Sequence, residues 1–180
     1  MKPLAEPAPI LFLDIDGVLN CHDFDQKAMS NTIDAVKVGH LNDILEETGA
    51  VVVLSSAWRY LVHRGDMTLA GLDWLLRSHG IRSDRLIGIT RPDTMVWYST
   101  KKGPVSKPIP DERGKQITDW LKEHQHTGRY LVIDDGGKNP SGTWSSLGII
   151  GEEHPCVWTE AEMGLTFMKT QEAINTLSGK

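Results

Sequence analysis

The sequence predicts an α/β fold, a three-layer α/β/α sandwich built on a central, mostly parallel, Rossmann-like sheet. Three observations carry this prediction. Short apolar runs alternate with stretches of helical periodicity, which is the pattern of successive βα units. The runs at Ile10 to Ile15, Ala50 to Leu54 and Tyr130 to Ile133 lack polar alternation, as expected of strands buried on both faces. Each run also ends in a reactive or coordinating group, and open α/β sheets keep their chemistry at that end of the strand.

Taken in order, residues 1–9 read as a flexible, proline-rich leader with no export-signal core, and residues 10–180 as one domain. The first strand, Ile10 to Ile15, runs into Asp14-Ile15-Asp16-Gly17. Two carboxylates so close repel unless a cation or a shared proton compensates, so a use for them is expected. A helix follows from Asp34 to Glu47, with Val36, Leu41, Ile44 and Leu45 on one face and Gly49 as its stop. The second strand, Ala50 to Leu54, ends at Ser55-Ser56. Leu69, Leu72, Leu75 and Leu76 mark a second helix closed by Gly80, and Arg85 to Thr90 is a shorter third strand. Arg91 to Pro110 holds Pro92, Gly103, Pro104, Pro108 and Pro110 and reads as irregular, a loop insertion over the active face rather than a linker between domains. Glu112 to His124 is a third helix carrying Ile117, Trp120 and Leu121. Tyr130 to Ile133 is the fourth strand and leads into Asp134-Asp135-Gly136-Gly137. Cys156 to Trp158 adds a last strand, and Thr166 caps a final helix with Ala173, Ile174 and Leu177.

Composition narrows the function. At 180 residues and 39% hydrophobic content the chain can bury a core without disulfides. No apolar run approaches the ~20 residues of a membrane span, so no membrane partner is expected. Cys21 and Cys156 show no metal or redox spacing, and a cytoplasmic location is the expectation. A net charge of −5 argues against general coating of nucleic acid. Between Arg77 and Lys115, however, nine Lys or Arg face four acids, whereas the rest of the chain holds ten bases and twenty acids. A basic segment in an acidic protein suits a polyanionic substrate.

If the strands are parallel neighbours, Asp14 and Asp16, Ser55, and Asp134 and Asp135 converge on one sheet edge. Hard oxygen donors without His or Cys suit Mg²⁺. Ser55 can donate to a phosphoryl oxygen, and Arg113 or Lys115 can bring positive charge from the start of the third helix. Ser56 is the alternative phosphate contact, although the strand-end position favours Ser55 and Ser56 is better placed to bond the turn. Arg59 reaches either a phosphate or a carboxylate at the helix start. Trp97, beside Tyr98 in the basic segment, can stack on a base. Trp58 is expected to pack, Asn20 to shape the first turn, and His124 and His126 to be solvated.

The order Asp14-x-Asp16-Gly-Val, strand to Ser55, basic helix start, strand to Asp134-Asp135 resembles the haloacid dehalogenase (HAD) superfamily. Leu54-Ser55-Ser56-Ala57-Trp58-Arg59, Arg113-Gly114-Lys115-Gln116-Ile117 with Trp120-Leu121, and Gly164-Leu165-Thr166 are similar to the HAD domain of Swiss Army Knife RNA repair proteins. The resemblance spans Ile10 to Leu177. It implies a phosphatase in which Asp14 attacks phosphorus and Asp16 serves as general acid and base. It further implies Mg²⁺ on the Asp14 carboxylate, the Asp16 backbone carbonyl, and Asp134 or Asp135. The basic role falls to Arg113 ahead of Lys115, a position that is often acidic in those relatives. With no large cap the site is open, which suits an extended substrate such as an RNA or DNA end carrying a 5′ or 3′ phosphate. The chain lacks a Gly-rich Lys-Ser/Thr phosphate loop, so a kinase or ligase would come from repair partners in trans. A phosphatase of small metabolites or nucleotides, and a non-catalytic module that binds phosphorylated ends, are the competing readings.

Overall fold

Strands that are apolar on both faces must be covered on both sides, and here helices do the covering. The computed structural model describes residues 7–23, 28–29, 32–82, 85–92, 95–100, 103–108, 112–136 and 153–180, of which 22–23, 28–29, 95–98, 105–108 and 112 are described by backbone alone. Strand β1 (Ile10–Leu13) is followed by β2 (His22–Asp23), β3 (Ala28–Met29), helix α1 (Ala35–Thr48) and β4 (Val51–Leu54). A 3₁₀ turn (Ala57–Arg59) runs into α2 (Tyr60–His63), then α3 (Leu69–Ser78) and β5 (Leu86–Ile89). Next come β6 (Met95–Thr100), β7 (Gly103–Pro108), α4 (Glu112–Glu123), β8 (Tyr130–Asp134), β9 (Cys156–Trp158) and α5 (Phe167–Ser178). The central sheet has the order β5-β4-β1-β8-β9, and every pairing in it is parallel.

Parity along β1 divides the core in two. Leu11 and Leu13, with Val52, Leu54, Leu131 and Ile133, pack against α1, α3 and α5 through residues such as Leu41, Leu45, Leu72, Ile174 and Leu177. Ile10 and Phe12, with Val53 and Val132, pack instead against Ile117 and Trp120 of α4. The three-layer α/β/α arrangement follows. Asp14 shares the parity of Phe12, so its side chain leaves the sheet on the α4 side.

Helix ends match the sequence signals. Asp34 accepts from the Val36 and Lys37 N–H groups, Gly49 closes α1, and Thr166 accepts from Lys169 N–H at the start of α5. Two expectations are corrected. Val36 is exposed, and Val38 takes its place beside Leu41, Ile44 and Leu45 in the core, because two residues along an α-helix turn about 200°, which sets Val36 opposite Val38. Within the segment Arg91 to Pro110, residues 95–100 and 103–108 are not irregular. β6 and β7 form an antiparallel hairpin from Met95↔Pro108 to Thr100↔Gly103, in a two-stranded sheet of its own. Proline is tolerated on such edges because no ladder N–H is needed there. The short β2–β3 pairing after the first turn was likewise not anticipated.

Candidate active site

The ladders continue one residue past the strands and set the candidate groups side by side. Asp14 N–H donates to Ile133 O at 3.0 Å, Ser55 N–H to Leu13 O at 2.8 Å, and Thr90 N–H to Leu54 O at 3.0 Å. Thr90, Ser55, Asp14 and Asp134 therefore form a row across four adjacent strand ends, on the face that α4 covers. All four are buried.

The turn after β1 is built from its own residues. Val18, Leu19 and Asn20 donate backbone N–H groups to Ile15 O, while Ile15, Val18 and Leu19 are fully buried beneath it. Gly17 has φ +76°, and a Cβ there would lie 2.4 Å from Asp135 Oδ2. The turn can approach Asp135 only because this residue is glycine. Asn20 accepts from Gly17 N–H and donates its Nδ2 to Asp16 Oδ1 at 2.8 Å. Trp58 Nε1 donates to the same oxygen at 3.2 Å. Trp58 thus holds Asp16 in addition to packing against the core. Both donors meet the same oxygen, Oδ1, and so fix the orientation of the carboxyl group.

Arg113, in the first turn of α4, sits among the acids. Its Nη1 donates to Asp14 Oδ2 at 2.9 Å and to Asp134 Oδ2 at 2.6 Å. Asp14 Oδ1 accepts from Ile15 N–H and Asp134 Oδ1 from Gly136 N–H. Burial raises the Asp134 pKa most, Arg113 pulls it down, and Asp14 raises it again; the carboxyl is pushed up to about 7. For Arg113, burial disfavours the cation, but attraction from Asp14 and Asp134 outweighs it and raises the pKa above the ordinary value. Its charge is permanent.

Asp14, Asp134 and Asp135 each offer a carboxylate oxygen, and these lie within 4.8 Å of one another. An all-oxygen, anionic donor set fits a hard divalent cation. The Asp16 carboxylate is not part of this group, since its Oδ1 is engaged by Asn20 and Trp58.

The remaining predicted residues fall elsewhere. Lys115 is largely exposed and pairs with Asp119 at 2.6 Å along α4, so it is not brought to the acids. Ser56 is buried and accepts from Trp58 N–H, capping the 3₁₀ turn. Arg59 turns inward. It is 1% exposed, and among the described residues its guanidinium bonds Ser56 O, Arg91 O and Gln116 Oε1. The Trp97 backbone lies in β6 opposite Ser106, and its side chain falls outside the described residues. His124 is stacked on Trp120 at 3.8 Å between ring centroids.

Sequence reasoning missed Thr90, Gln116 and His154. Among the described residues the hydroxyls of Ser55 and Thr90 are buried with no hydrogen-bond partner, and Thr90 ends its strand just as Ser55 does, a signal available in the sequence. His154 Nε2 meets Gly114 O at 2.9 Å, and its Nδ1 meets Tyr130 OH at 3.0 Å, tying the start of α4 to β8. No local pattern announces that contact.

A family model described as the HAD domain in Swiss Army Knife RNA repair proteins matches residues 10–169. No curated protein and no solved structure matches the chain.

Proposed function

The chain belongs to the HAD domains of Swiss Army Knife RNA repair proteins, and from that premise we propose that it is a Mg²⁺-dependent phosphomonoester hydrolase acting on phosphorylated RNA or DNA ends. The single observation that supports this most is the group of Asp14, Asp134 and Asp135 beside Arg113, next to the unpartnered Ser55 hydroxyl. Asp14, Asp134 and Asp135, with the Asp16 backbone carbonyl, would hold Mg²⁺. When bound, the ion offsets the negative charge that otherwise keeps an anionic nucleophile from a phosphate.

The chemistry of the chain's own residues follows. A carboxylate oxygen of Asp14 attacks phosphorus as the bond to the leaving oxygen breaks, giving an aspartyl-phosphate and splitting one displacement into two. Asp16 starts protonated, passes its proton to the leaving oxygen, and recovers one from the water that attacks the phosphoaspartate. Ser55 donates its unused hydroxyl to a phosphoryl oxygen. Arg113, fixed between two acids, supplies positive charge that needs no reorganisation during the reaction.

Phosphate release decides the matter. A panel of 5′- and 3′-phosphorylated oligonucleotides, nucleoside monophosphates and p-nitrophenyl phosphate would be assayed with and without Mg²⁺. Release that needs Mg²⁺ and favours the oligonucleotides is expected. A preference for the monophosphates would make it a small-nucleotide phosphatase, and no release from any member would make it a binding module.

A further inference from the structure

Arg59 is the largest fully buried side chain among the described residues, and it lies beside the row of site groups. A buried guanidinium is costly unless its N–H donors are met, and among the described residues acceptors of three separate segments meet them. Nη1 donates to Ser56 O at 2.7 Å, Nε to Arg91 O at 3.1 Å, and Nη2 to Gln116 Oε1 at 3.3 Å. The Tyr60 ring lies 5.0 Å below the guanidinium carbon.

Those acceptors are not scattered. Ser56 directly follows Ser55, and Arg91 directly follows Thr90, so Arg59 holds the backbone just beyond both unpartnered strand-end hydroxyls. Gln116 lies one helical turn after Arg113 on α4. One rigid fork therefore ties the exits of β4 and β5 to the helix that carries Arg113.

We propose that Arg59 is a positioning residue that sets the distance between the Ser55 hydroxyl and the Arg113 guanidinium, so that both meet the same phosphoryl group. The inference rests on the phosphatase reading for its kinetic consequence. Lysine cannot replace Arg59, because a single ammonium on a flexible stem does not span three acceptors with fixed angles.

The test compares R59K, R59Q and Q116L with the wild type, using p-nitrophenyl phosphate hydrolysis, melting temperature, and the stabilisation given by inorganic phosphate with Mg²⁺. Q116L removes the Gln116 bond and keeps the proposal testable should the Arg59 variants fail to fold. A displacement of about 1 Å at a distance from the chemistry can cost on the order of 100-fold in rate. Accordingly, kcat is expected to fall by at least about tenfold in R59K and R59Q with KM changed less than about threefold, and Q116L should move the same way by less. The stabilisation by phosphate should shrink in step. A variant that melts lower but keeps wild-type kcat would reduce Arg59 to a purely structural strut and overturn the proposal. A loss carried by KM alone would overturn it too, by making Arg59 a substrate contact. Should the wild type itself release no phosphate, the hydrolase reading fails, and the phosphate-stabilisation arm still decides the role of Arg59.

Discussion

Asp14 and Asp134 share one guanidinium, and that sharing decides what a substitution at either does. In Asp14→Asn the nucleophile is gone, yet Arg113 keeps its 2.6 Å bond to Asp134 and the repulsion between the two acids disappears. Turnover should be abolished while the protein melts at or above the wild-type temperature; phosphate release and a thermal melt check both halves. Asp134 makes a prediction about pH. Its carboxyl is pushed up to about 7, first by burial, from an unfolded value of 3.8. Between those values the folded metal-free protein holds a proton that the unfolded chain has released, so stability falls as pH rises from about 4 to about 7. A divalent ion must displace that proton, so its affinity should climb with pH, by nearly tenfold per unit well below 7, and level off above it. Calorimetric titration with Mn²⁺ from pH 5 to 8 measures this directly. A flat affinity would remove Asp134 from the ligand set, and Asp134→Asn should flatten the stability profile.

At the scale of elements, the turn between β1 and β2 carries the tightest constraint. Gly17→Ala must keep a left-handed backbone, which costs a side-chain-bearing residue roughly 1–2 kcal/mol. Its Cβ would also displace Asp135, now 2.4 Å from that point. The expected result is a lower melting temperature with a larger proportional loss of Mn²⁺ affinity, because Asp135 moves away from Asp14 and Asp134. Loss of stability with unchanged metal binding would mean Asp135 is not a ligand. A second close approach pins the same turn. Leu165 N–H donates to Val18 O at 2.8 Å, and a Cβ on Gly164 would lie 2.6 Å from that carbonyl oxygen. Such contacts explain which parts of the structure were legible in the sequence. The five parallel strands and the caps at Asp34, Gly49 and Thr166 are written in local apolar runs and local polar signals. The acids at strand ends were legible for the same reason, since topology alone carries them together. The hairpin was hidden because Pro104 and Pro108 read as breakers, whereas an edge ladder tolerates them. The Trp58–Asp16 bond and the inward turn of Arg59 join residues whose partners lie far along the chain, and no spacing rule encodes them.

Across the whole molecule, charge is distributed less generously toward a nucleic acid than the sequence count implies. Of the nine cations between Arg77 and Lys115, Arg77 pairs with Asp73, Arg82 with Glu46, Arg91 with Glu123, Lys115 with Asp119, and Arg113 with the site acids. Arg85 donates to Gly49 O. A cation already facing a carboxylate releases few counterions from a polyanion, because its own partner competes with the phosphate. Lys101, Lys102 and Lys107 are the remaining cations of the segment, and we propose that they carry what attraction it exerts on an oligonucleotide; their side chains lie outside the described residues. KM for a phosphorylated oligonucleotide should therefore rise only modestly with salt, with a log–log slope of about 2 to 3, corresponding to some three phosphate contacts on a single strand. Replacing all three lysines by glutamine should bring the slope close to zero while leaving Mg²⁺-dependent hydrolysis of p-nitrophenyl phosphate unchanged, since none of the three belongs to the acidic cluster. Steady-state kinetics between 50 and 300 mM salt (a Debye length of about 14 Å at the lower end, about 6 Å at the upper) would separate the outcomes. A steep slope that survives the triple substitution would place the nucleic-acid contacts on another face, and a slope near zero in the wild type would favour a small phosphomonoester as the substrate.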